Sequence, residues 1–120
     1  MRCAAFALLF VGGAAIAAAP PPGRYEATLC VSTSPAAPPS CGAAEFELRA
    51  KGQAQVRVAD VVYHLHLRPA QVDVKTMQGK MEIDEFSAEY EWRGKVLSFV
   101  DADKNVRYEV TPGAKVRARR

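Results

Sequence analysis

The chain has 120 residues, with 16 Lys or Arg against 13 Asp or Glu, and a formal net charge of +3 at pH 7. Four of the basic residues belong to a C-terminal tail, so residues 20–114 hold 11 basic and 13 acidic side chains and a net charge of −2. The length allows one small domain, and the acidic balance of that domain does not support a nucleic-acid-binding face.

The first 19 residues have the layout of a secretory signal. Arg2 precedes an apolar stretch over residues 4–19 that carries no charge and ends in small residues, as export signals do. Pro20 lacks an N–H and has a fixed φ, so the bond between Ala19 and Pro20 is a poor substrate for cleavage. Cleavage after Ala17 or Ala18 is therefore favoured. The alternative of a retained anchor is less favoured, because the stretch is shorter than the ~20 residues of a spanning helix.

Two cysteines remain after removal of the predicted signal. Cys30 and Cys41 bracket the prolines of a loop over residues 32–42. Because export would place the chain in an oxidising compartment, we predict a disulfide between them. The C-x-x-C spacing of redox-active thiol pairs is absent, so a structural bond is favoured over a catalytic one.

Apolar and polar side chains alternate over most of the remaining chain, which is typical of half-buried antiparallel strands. A stiff leader of three prolines precedes the first strand. Apolar residues occupy odd-numbered positions just before Asp84-Glu85 and even-numbered positions after it. This change of parity requires a bulge or a turn there. The predicted strands cover residues 24–31, 45–50, 56–58, 61–68, 72–75, 81–83, 86–92, 96–100 and 106–110, with a further short strand at Val116 and Ala118.

This spacing of short strands predicts an all-β fold, either a small antiparallel meander barrel or a two-layer sandwich of about eight short strands. The alternative is a five-stranded barrel of the oligosaccharide- or oligonucleotide-binding type. That barrel normally has a helix between its third and fourth strands, and no stretch shows a helical period with caps. The predicted organisation is a cleaved signal peptide over residues 1–19, a proline leader over 20–22 and a single β domain over 23–120 with the basic C-terminal tail.

His64 and His66 form the one pair with the spacing of a metal site, since residues two apart on a strand point the same way. The neighbouring strand offers Asp73 and, less well, Gln71 as a further ligand. Arg68 lies on the same face, and its charge disfavours a cation there. We therefore expect both rings to lie on the wet face of the strand, with neither a metal nor another cofactor bound.

A cluster of carboxylates follows residue 80, and paired carboxylates can serve glycoside hydrolysis. That chemistry needs a sugar-binding cleft, which a domain of ~100 residues rarely builds, so the cluster is interpreted as the solvated face of two strands. No Gly-x-Ser-x-Gly motif or free thiol supplies a nucleophile, and we do not expect an enzyme. The cluster comprises Glu82, Asp84, Glu85, Glu89 and Glu91.

Tyr90, Trp92 and Arg93 are the candidate binding residues, because these residue types dominate interface energies and lie at the end of a predicted hairpin at Arg93-Gly94. The alternative is that Tyr90 and Trp92 point into the core. With Ser87 before it and Lys95 after it, this stretch resembles part of the signature of periplasmic inhibitors of c-type lysozyme, which are small secreted β-barrels with a disulfide. The likeness covers fewer than ten residues, and its Tyr-to-Trp spacing is shorter, so no family is assigned.

These observations predict a secreted or periplasmic β domain that acts as a binding or inhibitory module for an unknown protein or glycan partner in the cell envelope. The alternative is a structural, envelope-associated component held on anionic lipid or glycan by its basic tail. In that case the weak surface contact is made by Lys115, Arg117, Arg119 and Arg120.

Overall fold

The computed structural model describes residues 19–34 and 36–116. The predicted signal peptide, apart from Ala19, and the tail beyond Val116 lie outside the described residues. Within them the chain forms nine strands and one 3-10 helix, Ala50–Gly52. The strands are β1 (Gly23–Ser32), β2 (Ser40–Leu48), β3 (Gln53–Val58), β4 (Val61–Leu67), β5 (Val72–Gln78), β6 (Met81–Ala88), β7 (Tyr90–Arg93), β8 (Val96–Asp101) and β9 (Val106–Lys115).

All the described strands belong to one antiparallel sheet, in the order β6-β5-β4-β3-β2-β1-β9-β8-β7. Consecutive strands pair with each other, apart from β6 and β7, and β9 returns to pair with β1. That return rolls the sheet into a nearly closed barrel. The predicted all-β meander barrel is therefore confirmed, and the sandwich and five-stranded alternatives are not the fold.

One bent segment supplies both edges of this sheet. Only Glu89 separates β6 from β7 along the chain, yet β6 pairs with β5 whereas β7 pairs with β8. The ladder stays open between β6 and the second half of β8, a gap that we call the seam. It is bridged by an ion pair between Lys104 Nζ and Asp84 Oδ2 at 2.6 Å and by the rings of Phe86 and Phe99, with centroids 6.3 Å apart.

Inward-facing side chains fill the barrel, because every second residue of a strand points to the same face. Phe46 is fully buried, and its ring centroid lies 6.3 Å from that of Tyr25 and 6.4 Å from that of Trp92. The remaining buried apolar residues are Leu29, Leu48, Ala54, Val56, Leu65, Val72, Val74, Leu97, Phe99, Tyr108 and Val110. Interiors packed in this way are stiff, so the outer face rests on a rigid scaffold.

The irregularity predicted beside Asp84 is a bulge in β6. Thr76 lies opposite Asp84 and Met77 lies opposite Glu82, which leaves Ile83 as an extra residue without a partner. A bulge switches the face to which the following side chains point, as the change of parity requires. The side chain of Ile83 is left 47% exposed. A bulge in an edge strand also discourages pairing with another chain.

Cys30 and Cys41 form the predicted disulfide. The two residues lie directly opposite each other in β1 and β2, so the bond ties the first hairpin together at the base of the proline-rich loop. Disulfides are typical of proteins in oxidising compartments. Within residues 19–34 and 36–116, no helix has both the length and the apolar character needed to cross a membrane.

The C-terminal end differs from the prediction at one point. β9 continues to Lys115 instead of ending near Val110, and Val116 donates its N–H to the Arg24 carbonyl at 2.7 Å. Val116 therefore continues the contact with β1 and does not begin a separate strand. Ala118, the other predicted member of that strand, lies outside the described residues.

Candidate functional site

The three residues predicted for binding, Tyr90, Trp92 and Arg93, differ in how far they are buried. Trp92 is half-buried and meets the Phe46 ring edge-on inside the barrel. Tyr90 also packs against the core, and its hydroxyl donates to the Arg68 carbonyl at 2.6 Å. Arg93 is exposed and forms an ion pair with Glu91, with Nε to Oε2 at 2.5 Å. The geometry thus leaves Arg93 as the projecting member of the three.

The two histidines lie on the outer face of β4, where His64 is exposed and His66 is half-buried. In the ladder between β4 and β5, His64 is opposite Lys75 and His66 is opposite Asp73. A positive charge beside His64 weakens the site for a cation. In the part of the chain that the structure describes, no three His, Cys, Asp or Glu side chains lie close enough to hold a metal ion.

Asp73, the proposed third ligand, already has three hydrogen-bond donors. Its Oδ1 accepts from Ser87 Oγ at 2.7 Å and from Gln71 Nε2 at 3.1 Å, and its Oδ2 accepts from Arg68 Nε at 2.8 Å. These hydrogen bonds, with that of Ser87 foremost, lower the pKa of the Asp73 carboxyl. The carboxylate therefore serves an exposed network that joins β5 to β6.

The acidic residues of the predicted cluster are dispersed over the outer face and the seam. Asp84 pairs with Lys104 across the seam, and Glu91 pairs with Arg93. Glu82 Oε1 lies 4.0 Å from the ammonium of Lys75. Each of these carboxylates therefore has a cationic neighbour. Glu85 and Glu89 are exposed.

An aromatic cluster forms the inner wall of the seam. The ring centroid of Tyr108 lies 5.2 Å from that of Phe99 and 5.9 Å from that of Phe86, in stacked arrangements. Tyr63 meets Tyr108 edge-on at 5.7 Å. Burial, followed by the proximity of Tyr63, raises the pKa of the Tyr108 hydroxyl to about 12. The hydroxyl stays protonated at neutral pH, which suits a packing role.

Two hollows on the outer face adjoin each other along β8 and β9. The first has a volume of about 570 Å³ and follows the seam between residues 87–91 and 98–100. The second has a volume of about 280 Å³ and lies against Pro39 of the proline-rich loop. Because Val100 and Arg107 line both, we treat the two hollows as one feature and call it the outer groove.

The outer groove lies where the short edge strand β7 ends. β7 is only four residues long, so its ladder with β8 ends at the pair of Tyr90 and Phe99. Beyond that pair, Val100 has a ladder partner on one side only, in β9. Ala88, on the opposite bank, is likewise paired on one side only, with Val72 of β5. On both sides of the seam, the strand backbone therefore has a ladder partner in one direction only.

Arg107 lies at the centre of the outer groove without an ion pair among the described residues. Its ladder neighbours Val100 and Ser32 are uncharged, and its Nη1 makes one long hydrogen bond of 3.5 Å to Ser98 Oγ. The described arginines that do pair with a carboxylate are Arg24, Arg49, Arg68 and Arg93. Arg107 is therefore a cation available to an incoming anion.

The proline-rich loop forms one wall of the outer groove. The Ala37 N–H donates to the Ser34 carbonyl at 3.2 Å, and the Ala36 N–H donates to Ser34 Oγ at 3.1 Å, which closes a tight turn. The disulfide holds the two strands from which the loop leaves. A stiff loop on a fixed base is the usual placement for a binding segment.

Sequence reasoning did not single out Arg107. Its position in the alternation marks it as an outward-facing strand residue, like many others. What distinguishes it is its place where the two hollows meet, without an ion pair among the described residues, and that depends on which strands lie beside β9. Comparison with protein-family models, with curated proteins and with solved structures finds no match to this chain.

Proposed function

We propose that this chain is a secreted or periplasmic binding module that captures an envelope or extracellular partner in the outer groove. The observation that carries the proposal is the groove itself: two adjoining hollows, about 570 and 280 Å³ in volume, that share Arg107, which has no ion pair among the described residues. The stiff loop forms a wall of the smaller hollow. Sites of that size, with apolar lining and a few fixed polar groups, are typical of binding surfaces.

Two independent features support the proposed compartment. The charge-free stretch over residues 4–19 has the layout of an export signal, and the disulfide between Cys30 and Cys41 suits an oxidising environment. A small exported barrel with a filled interior has its outer face and loops available for recognition. This reasoning supports a binding module over a carrier that encloses its ligand.

Photo-crosslinking in the native host tests the proposed surface. p-Benzoylphenylalanine is placed at Ser87 or at Ala102, two exposed positions that line the outer groove. The matched control is the same probe at exposed Arg57 on β3, four strands away from β8 in the sheet order. We expect one protein adduct of the same mass from both groove positions and none from the control.

Two results would contradict the proposal. One is an adduct that forms equally well from Arg57, which would place the partner elsewhere. The other is the absence of a protein adduct together with retention of the chain on envelope lipid or glycan that salt disrupts. The second result would favour the structural component held by its basic tail.

A further inference from the structure

We propose that the outer groove binds an extended peptide segment of the partner, with a carboxylate of that segment held by Arg107. The inference rests on the proposed function and adds the chemical class of the ligand. It combines three features of the groove. The strand backbone along its two sides has a ladder partner on one side only, its lining includes apolar side chains, and Arg107 has no ion pair among the described residues.

The backbone of the groove favours a peptide. Ala88 and Val100 are paired on one side only, so N–H and C=O groups of strand backbone border the hollow along the seam. An extended peptide adds main-chain hydrogen bonds to such an edge, and its alternate side chains enter adjacent pockets. Ala88 and Val100, both half-buried, line the same hollow and supply apolar surface for these side chains.

The aromatic residues of the groove argue against a glycan. Sugar and nucleobase ligands are commonly held by exposed aromatic faces, but Phe99 is only 3% exposed. The Tyr90 ring is half-buried and its hydroxyl is engaged by the Arg68 carbonyl. These two rings therefore provide little exposed aromatic surface on which a sugar could stack. Recognition in this groove therefore depends on backbone, apolar contact and charge.

The charges of the groove set the direction of the peptide. Arg107 lies where the two hollows meet, whereas Glu89 is exposed on the bank at the bend between β6 and β7. Glu89 has no ion pair among the described residues, unlike the neighbouring Glu91, which Arg93 neutralises. We therefore expect an acidic residue of the segment at Arg107 and a basic residue at Glu89. Complementary charges of this kind fix the register of a bound chain.

Selection from a random 12-residue peptide library displayed on phage tests this assignment. The immobilised protein is the exported chain with its disulfide intact, and the variants are Arg107→Gln and Arg107→Glu. We expect the wild-type protein to enrich peptides with a shared Asp or Glu. A synthetic peptide of the enriched sequence should bind Arg107→Gln about 10- to 100-fold more weakly, because a charge-assisted hydrogen bond is lost.

Charge reversal provides the more specific readout. Arg107→Glu should enrich peptides that carry Lys or Arg at the position where the wild type selects an acid. The matched control is Arg57→Glu, the same reversal at an exposed strand position on the far side of the barrel. It should leave the selected sequences unchanged. Arg107 is exposed, so its variants should keep the melting temperature of the wild type.

Several outcomes would overturn the inference. They are the absence of any enriched peptide, unchanged affinity of the selected peptide for Arg107→Gln, or binding of oligo-alginate, an acidic glycan probe, that depends on Arg107 while peptides fail. If adducts still form from Ser87 and Ala102 in these cases, the binding module stands and the peptide assignment falls. If the adducts fail as well, the proposed function falls with it.

Discussion

Removal of the disulfide gives a quantitative test of the barrel. In the double variant Cys30→Ala/Cys41→Ala, nine cross-strand pairs along β1 and β2 still define the hairpin. The native contacts therefore change little. The loss of stability should come from the unfolded chain, which gains freedom when the crosslink is absent.

The magnitude follows from the length of the closed loop. The two cysteines are separated by 11 positions, and closure of a loop of about this size is worth about 3 kcal/mol at 25 °C. Pro38 and Pro39 already restrict the unfolded loop, which lowers this gain. We expect the free energy of unfolding to fall by about 2–3 kcal/mol, and the melting temperature by about 10–20 °C for a domain of this size.

Urea denaturation followed by circular dichroism measures the difference between the oxidised protein and the double variant. The control is the wild-type protein held in reductant, which should lose the same stability as the variant. A loss smaller than about 0.5 kcal/mol in both samples would refute the loop-closure argument. A loss in the variant without any loss on reduction would assign the effect to the alanine side chains.

Three further predictions concern the core, the seam and export. Trp92→Ala should lower the free energy of unfolding by about 2–4 kcal/mol because it removes a core contact, whereas Arg93→Ala should change it by less than about 0.5 kcal/mol; urea titration separates them. The raised pKa of Tyr108, about 12, means that the unfolded chain releases this proton first. Stability should therefore hold below pH 10 and decline between pH 10 and 12, with tyrosinate absorbance at 295 nm reporting the titration and Tyr108→Phe as the control. The intact mass of the exported protein should correspond to a chain that begins at Ala18 or Ala19, and a full-length mass would contradict cleavage.

Features governed by local rules could be predicted from the sequence. Alternation located the strands because side chains on a strand change face at every residue. The parity change beside Asp84 required a bulge, which lies at Ile83. The sequence Lys51-Gly52-Gln53 is typical of a turn, and in the structure Gly52 has φ +78° and a Cβ would lie 2.3 Å from the Leu67 carbonyl oxygen. A side chain is therefore excluded at that position.

Features that depend on distant strands could not be predicted in the same way. Nothing in the pattern of β9 shows that it pairs with β1 and closes the barrel. The environment of Arg107 depends on that closure, because its ladder neighbours Ser32 and Val100 come from strands on either side of it. An inward side chain at Trp92 was one of two alternatives, and the contact with Phe46 that supports it spans the barrel and depends on the fold.

The location of the outer groove follows from how the barrel closes. A single bent segment serves both edges of the sheet: β6 pairs with β5 alone, and the short β7 leaves the second half of β8 without a partner on that side. Elsewhere the ladders run continuously around the barrel and the disulfide ties its first hairpin, so the scaffold does not depend on the open backbone at the seam.

Strand backbone that has a ladder partner on one side only is normally an aggregation hazard. Here the bulge at Ile83 and the ion pair of Lys104 with Asp84 protect one stretch of the seam, which confines the accessible backbone to the stretch beside Ala88 and Val100. A partner segment that paired there, as proposed, would complete the sheet without unfolding any part of it.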